Sequence, residues 1–264
     1  KTTFMLNLLL SMAKRYQDRS FYFFSYEEAK SRLALKCLII LAGVELHSSQ
    51  NLEAYIYYLK TKRASAKDKR KEIEAAIQEY QSLTSAGRLW LSDQTLYAED
   101  LASVIGYACK KGQVGAVFVD YIQNVSPQPT GQSSQRYLVL KESCRILRET
   151  AVSLEVPIIL GAQLNRALTA RQDKRPQLTD LRESGDIEQE ANLVLALYNL
   201  AEAKKEEKED YDPAVAAMNA GQAADLQVYI LKNRAGVSGR YVTLSFDGPI
   251  LTIQEPAAGS SPIY

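Results

Sequence analysis

The sequence predicts an α/β fold: a mostly parallel central sheet flanked by helices, finished by antiparallel strands at its C-terminal edge. Three observations carry this reading. Short apolar segments alternate with helical ones through most of the chain, the pattern of a parallel sheet covered on both faces. Near the C-terminus, strand-like segments follow one another without helices between them, as antiparallel strands do. Between them, Ser134–Leu154 repeats apolar residues (Tyr137, Leu140, Cys144, Leu147, Ala151, Leu154) at three- and four-residue steps, giving a covering helix one apolar face.

Each element has its own signal. Thr3–Tyr16 spaces Phe4, Leu8 and Met12 by four and ends in Lys14-Arg15-Tyr16, a helix with basic residues in its last turn. Ser20–Ser25 (SFYFFS) is an aromatic run between polar residues, a buried strand. Glu27–Leu41, Leu52–Leu59 and the mostly polar Ala66–Leu83 read as helices, the last on the surface. Arg88–Ser92 is the next strand, and Tyr97–Lys111 a helix closed by Gly112. Ala116–Val119 is apolar throughout, and Ser126, Pro127, Pro129 and Gly131 mark a loop after it. Pro157–Gly161, Leu193–Tyr198, Leu226–Leu231, Tyr241–Phe246 and Ile250–Ile253 complete the strands, with a turn at Phe246-Asp247-Gly248-Pro249. Ala201–Ala224 reads as a solvated insertion rich in Lys, Glu and Ala.

Composition bounds the function. The 264 residues are 46% hydrophobic and 24% charged, which excludes a disordered chain or a collagen-like fibre. Lys and Arg total 32 against 31 Asp and Glu, a net charge of +1. A uniformly basic nucleic-acid coat is excluded, so any such site must be a local patch. Cys37, Cys109 and Cys144 stand far apart and His47 is the only histidine. That argues against a disulfide framework, a zinc site or a Ser-His-Asp triad. His47, the cysteines and Trp90 read as structural, and Tyr55, Tyr57 and Tyr58 as packing or interface residues. Cys37–Val44, the longest apolar run, falls short of the ~20 residues a membrane span needs. The expectation is an intracellular, cytoplasmic protein without a membrane partner.

Some residues point to chemistry. Lys1-Thr2 ahead of a helix matches the last two positions of the phosphate-binding pattern G-x-x-x-x-G-K-[ST]. The chain opens on this pair without an initiator Met, so the glycine-rich half is expected upstream. Val117–Asp120 is an apolar strand ending in a carboxylate, placed either to hold Mg²⁺ beside such a loop or simply to open the next turn. Tyr26-Glu27-Glu28 follows the first strand, and a carboxylate there can polarise an attacking water. Gln163 follows the Pro157–Gly161 strand, where a side chain can sense a γ-phosphate. From Arg166 to Arg182 run Arg166, Arg171, Lys174, Arg175 and Arg182 against Asp173 and Asp180. This is the local basic patch that the neutral total requires: a phosphate-backbone contact or a solvated loop. It holds no aromatic residue, so base stacking is not expected there.

The string Asp180-Leu181-Arg182-Glu183-Ser184-Gly185-Asp186-Ile187-Glu188-Gln189-Glu190-Ala191 resembles the signature of the DnaB-type replicative helicases. Lys1-Thr2-Thr3-Phe4, Phe24-Ser25-Tyr26-Glu27, Val119-Asp120-Tyr121-Ile122-Gln123, Gln163-Leu164-Asn165-Arg166 and Leu231-Lys232-Asn233-Arg234 agree in order and spacing. The resemblance spans the whole chain and implies one RecA-like P-loop motor domain over residues 1–264. It implies Lys1, Thr2 and Thr3 at the phosphates of ATP, with Thr2 and Asp120 at Mg²⁺. It implies Glu27 as the activator of water, in a segment that reads S-L-E in the family and Ser25-Tyr26-Glu27 here. Gln163 is then the sensor, and Lys232 and Arg234 the basic pair that reaches a neighbouring subunit's γ-phosphate, Arg234 as the arginine finger. Arg182, Glu183 and Gly185 are the contacts to single-stranded DNA. The implied protein is a homo-hexameric ring that translocates 5′ to 3′ and unwinds duplex DNA, with a primase and a helicase loader as partners. The family's N-terminal collar domain and linker helix have no counterpart in these residues. A DnaB- or RecA-like DNA-dependent ATPase that does not unwind, and a non-catalytic assembly module of the same fold, are the alternatives.

Overall fold

The structure, a computed structural model, describes residues 1–44, 70–129, 136–165, 171, 173–200 and 224–256. The expected helix Leu52–Leu59, His47, Tyr55, Tyr57, Tyr58 and all of the 201–224 insertion but Ala224 lie outside them. Four parallel strands form the first sheet, in the order β2-β1-β3-β4. They are β1 (Ser20–Ser25), β2 (Leu89–Ser92), β3 (Val114–Asp120) and β4 (Ile158–Leu160). All seven residues of β3 are buried, because helices cover both faces of the sheet. On one face α1 (Thr2–Arg15), α2 (Lys30–Ala42) and α3 (Arg70–Ser85) enclose Leu6, Leu9, Leu33 and Leu83 with Phe21, Phe23 and Phe118. The rings of Phe23 and Phe118 stack 6.2 Å apart. On the other face α4 (Ala98–Lys111) and α5 (Arg136–Leu154) pack Leu101, Ile105, Leu140 and Leu147 against Val117 and Val119.

The helices follow their sequence signals. The stripe Met5, Leu6, Leu9, Leu10 and Ala13 of α1 is buried. The helix α4 carries Glu99 and Asp100 in its first turn and Lys110 and Lys111 in its last, each sign suited to the helix dipole. The start of α2 differs from the Glu27 expected. Ser25 Oγ accepts hydrogen bonds from the amides of Glu27 (3.4 Å) and Glu28 (2.8 Å). That turn competes with helix, and the helix begins at Lys30, whose amide donates to Asp93 Oδ2 at 2.9 Å. In α5, Tyr137 leaves the expected apolar face and is 54% exposed. Trp90, expected to be structural, is also mostly exposed on the edge strand β2, its ring stacked on Tyr22.

The second sheet is antiparallel, in the order β5-β6-β7-β8. Its strands are β5 (Leu193–Asn199), β6 (Ala224–Asn233), β7 (Arg240–Asp247) and β8 (Thr252–Gln254). The expected edge strands thus form a hydrogen-bonded sheet of their own, and β4 and β5 are not paired with each other. A cavity of about 1330 Å³ lies between them, lined by Ile158–Leu160 on one side and Leu193–Leu197 on the other. One side chain joins the two sheets' territories. Asn7 on α1 donates to Leu251 O (2.8 Å) and accepts from the Ile253 amide (3.1 Å) at β8. Among the described residues no helix is long and apolar enough to cross a membrane.

Candidate active site

In a parallel sheet every strand ends at the same edge, and ligands bind in the crevice outside the carboxyl ends. Here β1 ends at Ser25, β3 at Asp120 and β4 at Leu160. The helix α1 starts at the same edge, with Lys1 as its N-cap. Its Nζ lies 2.9 Å from Asp120 Oδ1 and 3.5 Å from Glu27 Oε2. The Thr2 hydroxyl donates to Asp120 Oδ2 in a short contact. Asp120 is almost fully buried. Its Oδ1 has the Lys1 charge beside it but no donor aligned as a hydrogen bond. One cation thus faces two carboxylates, so the cluster has spare negative charge and oxygen ligands directed at one place.

The surroundings hold these groups still. The Tyr26 amide donates to Asp120 O at 2.7 Å, tying the end of β1 to the end of β3. Tyr26 itself is anchored through its hydroxyl on Leu96 O at 3.0 Å. Burial pushes its phenol up to about 12 against the opposing effect of that bond. A 3-10 helix, Ile122–Asn124, follows β3, and Asn124 Nδ2 donates to Tyr26 O at 3.2 Å.

Gln163 lines the same cavity as Lys1, Thr2, Thr3 and Glu27. Its main chain is held by Gln123, whose Nε2 donates to Gln163 O (3.1 Å) and whose Oε1 accepts from Gln163 N (3.3 Å). Lys232 and Arg234 do not join the cluster. They close β6 against α6 (Gly185–Glu190), where Lys232 Nζ donates to Glu188 O and Arg234 Nη2 to Gln189 O, both at 2.5 Å. Arg234 Nη1 also reaches Asn192 Oδ1 at 3.2 Å. Arg171, Lys174 and Arg175 lie on the segment before the 3-10 helix Leu178–Ser184. Arg166 is outside the described residues. Arg182 and Glu183 belong to that 3-10 helix and Gly185 opens α6.

Three contributors went unread in the sequence. Gly161 follows β4, and a Cβ there would stand 2.8 Å from Asp120 Oδ1 and 3.4 Å from Lys1 Cδ. The Tyr121 ring has Lys1 Nζ 3.9 Å from its centroid, a cation–π contact. Gln123 clamps Gln163. A glycine between an apolar strand and a polar sensor was the available signal for Gly161; Tyr121 and Gln123 stood only within the family-like segment Val119–Gln123, with no role of their own.

A Lys-Thr pair at a helix start, meeting a buried aspartate at the end of an adjacent parallel strand, defines an α/β domain of the RecA-like class. A family model described as DnaB-like helicase C terminal domain matches residues 1–255. The chain belongs to that family. It is 28% identical to the replicative DNA helicase DnaB of Helicobacter pylori strain J99, over 97% of this chain and 53% of that protein. It is 31% identical to the replicative DNA helicase DnaC of Bacillus subtilis, over 75% of this chain and 40% of that protein. The chain spans about half the length of the curated relatives it matches. A solved structure described as an ATPase domain superposes with a TM-score of 0.76 at 25% identity, covering 97% of this chain and 80% of that one. A solved DnaB-like replicative helicase, described with its interactions with primase, superposes with a TM-score of 0.75 at 25% identity, covering 96% of this chain and 54% of that one.

Proposed function

We propose that this chain is the ATP-hydrolysing motor of a ring-forming DnaB-type helicase that moves along single-stranded DNA. The observation that carries the reading is the meeting of Lys1, Thr2, Asp120 and Glu27 at one sheet edge. Membership of the DnaB-like family gives that meeting its chemistry.

ATP and Mg²⁺ are the proposed ligands. The Thr2 hydroxyl and the Asp120 carboxylate fit Mg²⁺, a hard cation that takes oxygen ligands and shares its shell with water and phosphates. Among the described residues no three His, Cys, Asp or Glu side chains gather, so such an ion would need those phosphates. Bound there, it would neutralise charge on the phosphoryl group in transfer. Lys1 would exchange its carboxylate partners for phosphate oxygens. Glu27, about half exposed and free to face the nucleotide, would accept the proton of the attacking water. Gln163, held at its backbone, would report the γ-phosphate.

Lys232 and Arg234 bond Glu188 O and Gln189 O of their own chain's α6 and no group of the Lys1 cluster. That supports the reading that they complete a neighbour's site, which requires a head-to-tail assembly; a closed homo-hexamer is proposed. Lys174 and Arg175, with Arg166 and Arg182, are proposed to meet the DNA backbone, together with Glu183 and Gly185. A primase partner is proposed on the likeness to the solved helicase described with one.

DNA-stimulated ATPase on the full-length protein tests the assignment. Arg234→Ala is expected to lower turnover about a thousandfold, and Glu27→Gln about a hundredfold. Near wild-type turnover in both would overturn the roles. Strand displacement on a forked duplex tests unwinding, and ATP turnover without displacement would leave a translocating ATPase in its place.

A further inference from the structure

Arg171 stands among the cations of the basic segment, yet its guanidinium is committed within that segment. Nε donates to Asp173 O (3.2 Å) and Nη1 to Gln177 Oε1 (3.0 Å). Nη2 donates to Arg175 O (2.8 Å) and to Asp180 Oδ2 (3.0 Å). Four of the five N–H groups that the side chain possesses are thereby used. Asp180 is buried, and the same Oδ2 also accepts from the Gln177 amide at 2.7 Å. Its carbonyl accepts from the Asn165 amide at 3.0 Å, two residues past Gln163. The Arg175 amide donates to Asp173 Oδ1 at 3.0 Å, so Arg175 is fixed at both its N–H and its C=O while its side chain is exposed. A guanidinium with its fork spent inside the protein has no paired donors left for a phosphate.

We propose that Arg171 is a positioning residue: paired with buried Asp180, it holds the 173–180 loop in the one shape that presents Lys174 and Arg175 to the phosphates of single-stranded DNA. This rests on the DNA-binding reading above. It corrects the sequence-based expectation that Arg171 itself contacts DNA.

The two roles give opposite signs. Were Asp180 only a charge near DNA, Asp180→Asn would remove repulsion and tighten binding. The clamp requires the carboxylate, so Asp180→Asn weakens binding about tenfold. Were Arg171 a phosphate contact, Arg171→Lys would keep most of the affinity. The clamp needs the planar fork, so Arg171→Lys binds as poorly as Arg171→Ala.

The test is a salt titration of full-length protein on labelled oligothymidylate, with amide exchange at Arg175 and Gln177 measured without DNA. Asp180→Asn and Arg171→Lys are expected to weaken binding and speed both amides, with melting measured alongside to separate loop loosening from unfolding. Arg175→Ala is the direct-contact control, expected to lower the salt slope by about 0.7 and leave the Gln177 amide slow. Tighter binding by Asp180→Asn, rescue by Arg171→Lys, or wild-type exchange in both variants would each overturn the proposal. Wild-type protein that ignores oligothymidylate at every salt concentration would overturn the DNA reading itself, and the exchange rates then judge the clamp alone.

Discussion

Gly161 shows how little space the site leaves at the level of single atoms. It has no room for a methyl group between Asp120 Oδ1, Met5 Sδ at 3.2 Å and Lys1 Cδ. Gly161→Ala is therefore expected to push the carboxylate or the lysine from its place. Overpacking of this kind costs about 1–3 kcal/mol, read as a lower melting temperature, and ATP turnover should fall with it. Unchanged melting and turnover would mean that the backbone yields instead. The legible residues are those tied to a strand end or a helix start: Lys1, Thr2 and Asp120 follow from position and type, Glu27 from the family resemblance, and the structure brings the four together. Tyr121 and Gln123 were not legible. Each acts through a contact set by the shape of the turn after β3, and nothing in the types Tyr and Gln announces that. Trp90 packs on Tyr22 and bonds Gly87 O while staying half exposed, because burial tendency cannot tell a core strand from an edge strand such as β2.

Elements were read best where burial on both sides imposes an unmistakable pattern. The strand β1 begins and ends at the residues expected, and β3 extends the apolar run by two residues at its start and one at its end. Boundaries slipped where a side chain took over the backbone's bonding, as Ser25 does ahead of α2. Asn7 is the element-scale device most open to test. It stitches α1 to β8 through two hydrogen bonds to a chain segment more than 240 positions away. Asn7→Ala would leave the Ile253 amide and Leu251 carbonyl without those partners, at a cost of about 1–3 kcal/mol. Amide exchange at Ile253 should rise well before that of β3. Equal protection of Ile253 in the variant would show that β8 is held by β7 alone.

At the scale of the whole molecule, the near-zero net charge conceals separate territories. The carboxylates around Lys1 and the cations Arg171, Lys174 and Arg175 belong to different parts of the fold, so the sum carries no information about either. The separation of the sheets was not legible either, since strand pairing across β4 and β5 depends on geometry that no local pattern encodes. Burial also makes stability depend on pH at the alkaline end. It raises Tyr26 and Tyr80 from 10.0 to about 12, and Cys37 from 9.0 to about 12. The unfolded chain releases these protons first, so the folded state binds more of them between about pH 9 and pH 12. Stability is thus fully retained below that window and falls as pH rises through it. Denaturant midpoints taken across the window check the sign; a flat profile would refute the burial of these groups.

One consequence follows from the anchoring of Lys232 and Arg234 on α6. That helix continues directly from the 3-10 turn that carries Asp180. The foot of the 173–180 loop, at Asp180, and the residues that hold Lys232 and Arg234, Glu188 and Gln189, thus belong to one short stretch of chain. In the ring proposed above, neither can travel without the other. There, a pull on the bound strand would reach the neighbour's site through that stretch, so that the step of the motor and the order of its firing would be one mechanical event.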